Sequence, residues 1–352
     1  MRVAASRPAE ERGLARDGVR MLVATTDGLA HATFADLPRY LTAGDLLVVN
    51  TTATLAAAVD GRRAGDRPVT VHFSTPQDDG NWLVELREPG PGHARVRDCR
   101  PGERIALPQR AALTLLARYP DPGADRLWTA SFATGRVEAY LARHGRPIRY
   151  SYVPEQWPLA AYQTVFSREP GSAEMPSAGR PFTPDLVLAL ITSGVLIAPI
   201  TLHAGLASLE AGELPLPERF TVPGPTAALV NLTTSAGRRV IAVGTTVTRA
   251  LESASGAAGG SEGGPVRSSR GWTDLVLGAS RPARVVTGLI TGWHDPEASH
   301  LDLLQAVAGP ALVRAAYAEA DNAHYLGHEF GDSCLLLPPL PLRPANPGGG
   351  SA

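Results

Sequence analysis

Between Val59 and Phe132 the chain reads as short apolar runs, VTVHF, NWLVELRE, RVRD, ERIAL, LTLLARY and LWTASF. Turn-rich pieces such as DGRRAGD, PQDDGN and PGPGH cut them apart. Runs this short, with turns at intervals of about eight to twelve residues, specify an antiparallel β unit and exclude a helical one. A small closed barrel is the form that leaves no strand edge unpaired.

The flanking sequence has a different texture. Gly44–Asn50 (GDLLVVN) is a continuous apolar run, the pattern of a strand buried on both faces. Thr134–His144 has helical spacing and ends at Gly145. TPDLVLALITSG predicts a second helix, with Thr183 as cap, Pro184 and Asp185 in the first turn, and Gly194 as stop. VLIAPITLH, RRVIAVGTT, TDLVLG and RVVTGLIT predict strands, and TRALESA a helix. Alternating elements imply an α/β main domain, residues 1–58 and 134–338, with the antiparallel β-barrel inserted as residues 59–133. The Gly/Ser-rich stretch Ser253–Gly271 predicts a mobile surface loop, and the Pro- and Gly-rich 339–352 a disordered tail.

With 352 residues, 44% apolar and 19% charged, the chain has material for two folded domains. A net charge of -1 excludes a protein that coats nucleic acid with a uniformly basic surface, so any RNA contact is a local patch. All 33 basic residues are Arg, a uniformity that reflects coding bias. Cys99 and Cys334 are far apart and form neither a disulfide framework nor a thiolate metal site. With no signal segment and no apolar run of membrane-spanning length, the expectation is a cytoplasmic, non-membrane, monomeric protein. Phosphate-binding loops, dinucleotide fingerprints and nucleophile elbows have no counterpart in the sequence.

Five segments in order carry a resemblance. They are Gly44–Gly61 (GDLLVVNTTATLAAAVDG), Ala161–Thr183 (AYQTVFSREPGSAEMPSAGRPFT), Thr201–Glu210 (TLHAGLASLE), Arg238–Glu252 (RRVIAVGTTVTRALE) and Thr287–Gly309, the last followed by AAYAEADNAHYLGHEFGD to Asp332. Together they resemble the S-adenosylmethionine:tRNA ribosyltransferase-isomerase family of queuosine biosynthesis. The resemblance implies S-adenosylmethionine as co-substrate and a tRNA acceptor. The ribosyl group moves onto an aminomethyl-deazaguanine base and rearranges to the epoxycyclopentanediol of epoxyqueuosine, while adenine and methionine leave. Such chemistry needs a base beside the cationic sulfonium and a donor to help adenine depart.

Within the matched segments, His203 and His294 follow strands, where open α/β sheets present functional groups, and with Asp332 they are the expected catalytic residues. A structural histidine or a turn-forming aspartate is the plainer alternative. Gly244, Thr245 and Thr246 form a strand-to-helix turn suited to a carboxylate or phosphate. By the resemblance, Arg249 and Glu252 hold the methionine carboxylate and ammonium, and Tyr162, Gln163 and Thr164 meet a base. Gly179, Thr201 and Gly205 complete the expected substrate contacts.

Several positions depart from the family motifs. The Leu-His of its Pro-Thr-Ala-Gly-Leu-His block is Arg180-Pro181, the Asp and Arg of its Asn-Asp-Thr-Arg are Thr51 and Ala53, its Lys in the fifth segment is Glu297, and an Arg is Leu326. Lost cations weaken phosphate contacts, so two alternatives stand beside tRNA modification: a paralogue acting on a non-tRNA acceptor, and an RNA-binding or regulatory protein without turnover. A third, a metal-dependent hydrolase, draws on His294, Asp295, Glu297, His300 and Asp302, and on His324 and His328 four apart on an expected helix.

Overall fold

The computed structural model describes residues 3–89, 94–133, 135–206, 216–256, 264–294 and 300–340. The chain opens with β1 (Arg20–Thr25), β2 (Gly28–Thr33), β3 (Leu46–Asn50) and β4 (Thr52–Thr54). Six strands then form one unit: β5 (Ala58–Arg63), β6 (Arg67–Pro76), β7 (Trp82–Arg87), β8 (Arg104–Ala106), β9 (Ala112–Tyr119) and β10 (Leu127–Phe132). There follow α1 (Val137–His144), β11 (Glu169–Ser172), α2 (Pro184–Thr192), β12 (Leu196–His203), β13 (Glu218–Val222), α3 (Gly224–Ser235) and β14 (Val240–Val243). The last elements are α4 (Thr245–Gly256), β15 (Ser269–Thr273), β16 (Gly288–Gly292), α5 (His300–Ala308), α6 (Pro310–Asn322) and β17 (Ser333–Leu337).

Strands β5 to β10 close into an antiparallel barrel in the order β10-β7-β6-β5-β8-β9, as the turn-punctuated stretch requires. Phe73, Trp82 and Trp128 fill its interior with aliphatic neighbours. Glu85, 2% exposed, is held by Arg126 at 3.1 Å and Arg87 at 2.8 Å, the pairing that a buried carboxylate demands.

The remaining large sheet has the order β15-β13-β12-β3-β14-β16-β17-β1-β2. β14 and the Leu46–Val49 stretch of β3 are apolar throughout because both faces are covered. Leu46 and Val48 of β3 enter one core with Val240, Ala242, Val247 and Leu251. Leu47 and Val49 enter the opposite core with Ile241, Val243, Phe182 and Leu190. The alternation of side chains along a strand feeds both layers at once. Thr183 caps α2, its hydroxyl accepting the Leu186 N–H at 3.2 Å.

Four expectations are corrected. Within TDLVLG only Thr273 lies in a strand, β15, and RVVTGLIT is extended only from Gly288. The stretch Ser253–Gly271 is not all loop: α4 runs to Gly256 and β15 begins at Ser269, while residues 257–263 lie outside the described chain, as does 341–352 of the expected tail. RVRD contributes one isolated bridge, Arg95 to Arg87, rather than a barrel strand. Finally, α6 ends at Asn322, and both His324 (φ 54) and His328 (φ 64) are left-handed, so they do not share a helix face. The paired-histidine metal reading loses its geometry, and Asp295 and Glu297 of the other acidic cluster fall outside the described residues.

Candidate active site

Strands β12, β3, β14 and β16 are mutually parallel, so their carboxyl ends share one edge of the sheet. β17 runs opposite to β16 and parallel to β1, so the amino ends of both return to that same edge. The edge therefore collects His203 from β12, Asn50 from β3, Gly244 after β14, His294 after β16, and Asp332 before β17.

His203 is half-buried in a niche of hydroxyls. The Thr52 hydroxyl lies 2.8 Å from His203 Nδ1 and 2.8 Å from Ser172 Oγ, and Ser172 Oγ accepts the Ala204 N–H at 2.9 Å. Gly171 is required beside the ring, since a β-carbon there would stand 2.5 Å from Nδ1. Burial, with help from the Arg219 charge, pushes the imidazole below its ordinary pKa, so the ring is neutral at pH 7 and able to take a proton.

Gly244 turns the chain from β14 into α4 at φ 100, a left-handed value that favours glycine. Its N–H donates to Ile290 O at 2.8 Å, which ties the turn to β16. The first turn of α4 begins at Thr245, and its unpaired amides and positive dipole end suit an anionic group. Asn50 braces the edge: its side chain donates to Leu202 O at 2.9 Å and accepts the Leu202 N–H at 3.0 Å. Thr201 and Thr51 share a hydroxyl contact of 2.9 Å.

Farther along the edge, a pocket is lined by Val19, Ser177, Arg180, Pro181, Gly292, His328, Glu329, Phe330, Gly331, Asp332 and Ser333. Two residues past the end of β16, His294 stacks on His300 with ring centroids 4.5 Å apart and planes 10° from parallel. Burial pushes the Glu329 carboxyl up to about 7, opposed by the Arg180 charge.

A family model described as queuosine biosynthesis protein matches residues 1–336. The chain belongs to that family. Relatives within the queuosine biosynthesis family include proteins named S-adenosylmethionine:tRNA ribosyltransferase-isomerase. The one from Acidiphilium cryptum is 35% identical over 94% of this chain and 95% of its own length. The one from Moorella thermoacetica is 34% identical over 92% and 94%. The crystal structure of S-adenosylmethionine tRNA ribosyltransferase from Thermotoga maritima superposes with a TM-score of 0.51 at 26% identity, covering 95% of this chain and 96% of that one.

Against that family background, the expected site residues separate into two groups. His203, His294, Thr201, Gly205 and the turn Gly244, Thr245, Thr246 lie at or beside the strand-end edge. Gly205 also abuts the barrel: a β-carbon there would come within 2.8 Å of Ser74 Oγ and Thr75 Oγ1.

The second group makes its contacts within the protein itself. Arg249 donates to Leu275 O at 3.0 Å, to Thr273 O at 3.1 Å and to the carboxylate of Glu218. Glu252 accepts the N–H groups of Arg284, Val285 and Val286 at 2.9–3.1 Å, which clamps the approach to β16. The Gln163 side chain accepts the Thr54 N–H at 3.0 Å and donates to Thr54 O at 2.8 Å, mimicking a strand. Tyr162 is 2% exposed with its ring 5.2 Å from that of Phe330. Thr164 closes a local turn with Ser167 and Phe166, and Gly179 packs on Thr164 and Phe166. Asp332 accepts from Arg20 Nε at 3.1 Å, Arg20 Nη2 at 2.9 Å and Leu326 N at 2.9 Å, an anchoring role.

Thr52, Ser172 and Glu329 were not among the expected site residues. Thr52 stands inside the first matched segment, where it keeps the threonine of the family's Asn-Asp-Thr-Arg, so a signal was present. Glu329 carried none, since its environment is assembled from segments more than 140 residues apart.

Proposed function

We propose that this chain is an S-adenosylmethionine:tRNA ribosyltransferase-isomerase that converts an aminomethyl-deazaguanine base in tRNA to epoxyqueuosine, with release of adenine and methionine. The single observation behind the reading is the shared edge that brings neutral His203, the Gly244 turn and His294 together in a chain matched to the family over nearly its whole length. The enzyme acts in the cytoplasm as a monomer. Among the described residues no helix is long and apolar enough to cross a membrane.

The roles follow from the local chemistry. The first-turn amides of α4 take the methionine carboxylate, a task that leaves Arg249 and Glu252 to their structural partners. His203, neutral and oriented by Thr52, takes the proton beside the sulfonium, where the adjacent positive charge raises carbon acidity. His294 hydrogen-bonds substrate hydroxyls from the far side of the Gly244 turn. tRNA is the acceptor, despite the lost basic positions, because relatives matched over more than nine-tenths of this chain are named for acting on it.

The test is incubation of the purified protein with S-adenosylmethionine and tRNA carrying the aminomethyl-deazaguanine base, with mass spectrometry of the digested tRNA. Epoxyqueuosine together with tRNA-stimulated adenine release supports the reading. Adenine release that ignores tRNA, or none at all, rejects it.

A further inference from the structure

The pocket beside Gly292 and Ser333 holds a carboxyl group that none of these roles uses. Glu329 Oε2 is buried without a hydrogen-bond partner, and so is the hydroxyl of Tyr162, whose ring packs on the adjacent Phe330. Orphaned buried polar atoms are rare in folded proteins, and one that belongs to a pocket-lining residue points to a group that arrives from outside.

The charged and titratable groups around Glu329 do not neutralise it. Arg180 is spent on Glu10 Oε2 at 2.9 Å and on Ala161 O at 3.0 Å. Asp332 is held by Arg20. Burial keeps the phenols of Tyr152 and Tyr162 protonated, and His328 is stacked on Tyr152 with centroids 4.3 Å apart. Glu329 therefore sits poised between its acid and its carboxylate near neutral pH, its pKa pushed up to about 7.

We propose that Glu329 is a general acid that gives its carboxyl proton to the adenine ring as that ring leaves. The inference rests on the ribosyl-transfer reading. The ribose carbon–nitrogen bond breaks, its electron pair stays on the purine, and the Oε2 proton moves to a ring nitrogen, leaving Glu329 as carboxylate. The proton taken from the sugar beside the sulfonium balances the one delivered, and water reprotonates Glu329. Adenine is the group that needs this help, because methionine departs from a sulfonium as a neutral thioether. The placement agrees: β14, which Gly244 follows, and β16, which Gly292 ends, are neighbouring parallel strands about 5 Å apart, so an amino acid held at α4 leaves its nucleoside end on the side of this pocket.

The experiment compares wild type with Glu329→Gln and Glu329→Asp for tRNA-dependent adenine release from about pH 6 to about pH 9, alongside melting temperature and S-adenosylmethionine affinity. Wild-type kcat is expected to fall above pH 7. Glu329→Gln is expected to lose about 10²-fold in kcat and that alkaline limb, with unchanged melting and affinity, and Glu329→Asp to recover part of the rate. An S-adenosylmethionine analogue with a better-leaving purine should narrow the gap between wild type and Glu329→Gln, a signature that a merely structural role would not give. A Glu329→Gln enzyme with the wild-type rate and pH profile overturns the inference. Failure of the wild type itself to release adenine instead overturns the ribosyl-transfer reading, and the inference with it.

Discussion

The hydroxyl of Thr52 stands 2.8 Å from Nδ1 of His203, and through that one contact β4 sets the orientation of the imidazole that ends β12. Ser172, on β11 beside β4, holds Thr52 in turn at 2.8 Å. Thr52→Val keeps the shape and removes the hydroxyl. It is expected to lower kcat about tenfold to a hundredfold with little change in S-adenosylmethionine affinity. Wild-type kinetics in this variant would mean that His203 needs no orienting partner.

The depressed pKa of His203 fixes the acid side of the pH profile. Folding disfavours its charged form, so protonating it as pH falls below the ordinary histidine value of 6.5 costs stability and removes the base. Adenine release should therefore hold its rate as pH falls through the ordinary histidine value and decline only at a lower pH. His203→Gln should abolish turnover and leave the structure melting as before, read by calorimetry and product analysis on the same samples.

Glu252 and Arg249 give the opposite expectation. Glu252→Ala strips three N–H groups, two of them buried, of their acceptor and is expected to destabilise the fold by about 2–4 kcal/mol, seen as a lower melting temperature. The fraction that stays folded should bind S-adenosylmethionine with near-native affinity. Calorimetric titration showing normal stability and lost binding would restore Glu252 to the substrate site.

Asp332→Asn tests the same distinction at the other end of the edge. The carboxylate anchors Arg20 and the Leu326 N–H, so its replacement should cost about 1–3 kcal/mol of stability and reduce activity only modestly. A kcat loss of about 10³-fold with unaltered melting would mark Asp332 as chemically active.

The layers were legible because the rules that wrote them are local. β3 is apolar at every position facing either core, and α2 announces its start with Thr183 and Pro184. The barrel strands were legible in the spacing of their turns. What was not legible depended on distant partners. Arg249 looks like a free cation on a helix after a glycine turn, yet its acceptors Thr273 and Leu275 lie 24 and 26 residues onward. His324 and His328 look like neighbours on one helix face, but α6 stops at Asn322 with neither glycine nor proline to announce it. Glu329 reads as an ordinary turn residue until tertiary packing surrounds it with Tyr152, Tyr162 and Arg180.

The central claim is that one edge of the sheet holds the sulfonium nucleoside, and a crystal structure with bound S-adenosylmethionine tests it most directly. The account predicts the methionine carboxylate at the first turn of α4, the sulfonium within reach of His203, and the adenine beside Glu329. Ligand density in the barrel, or on the face covered by α3 and α6, would contradict it.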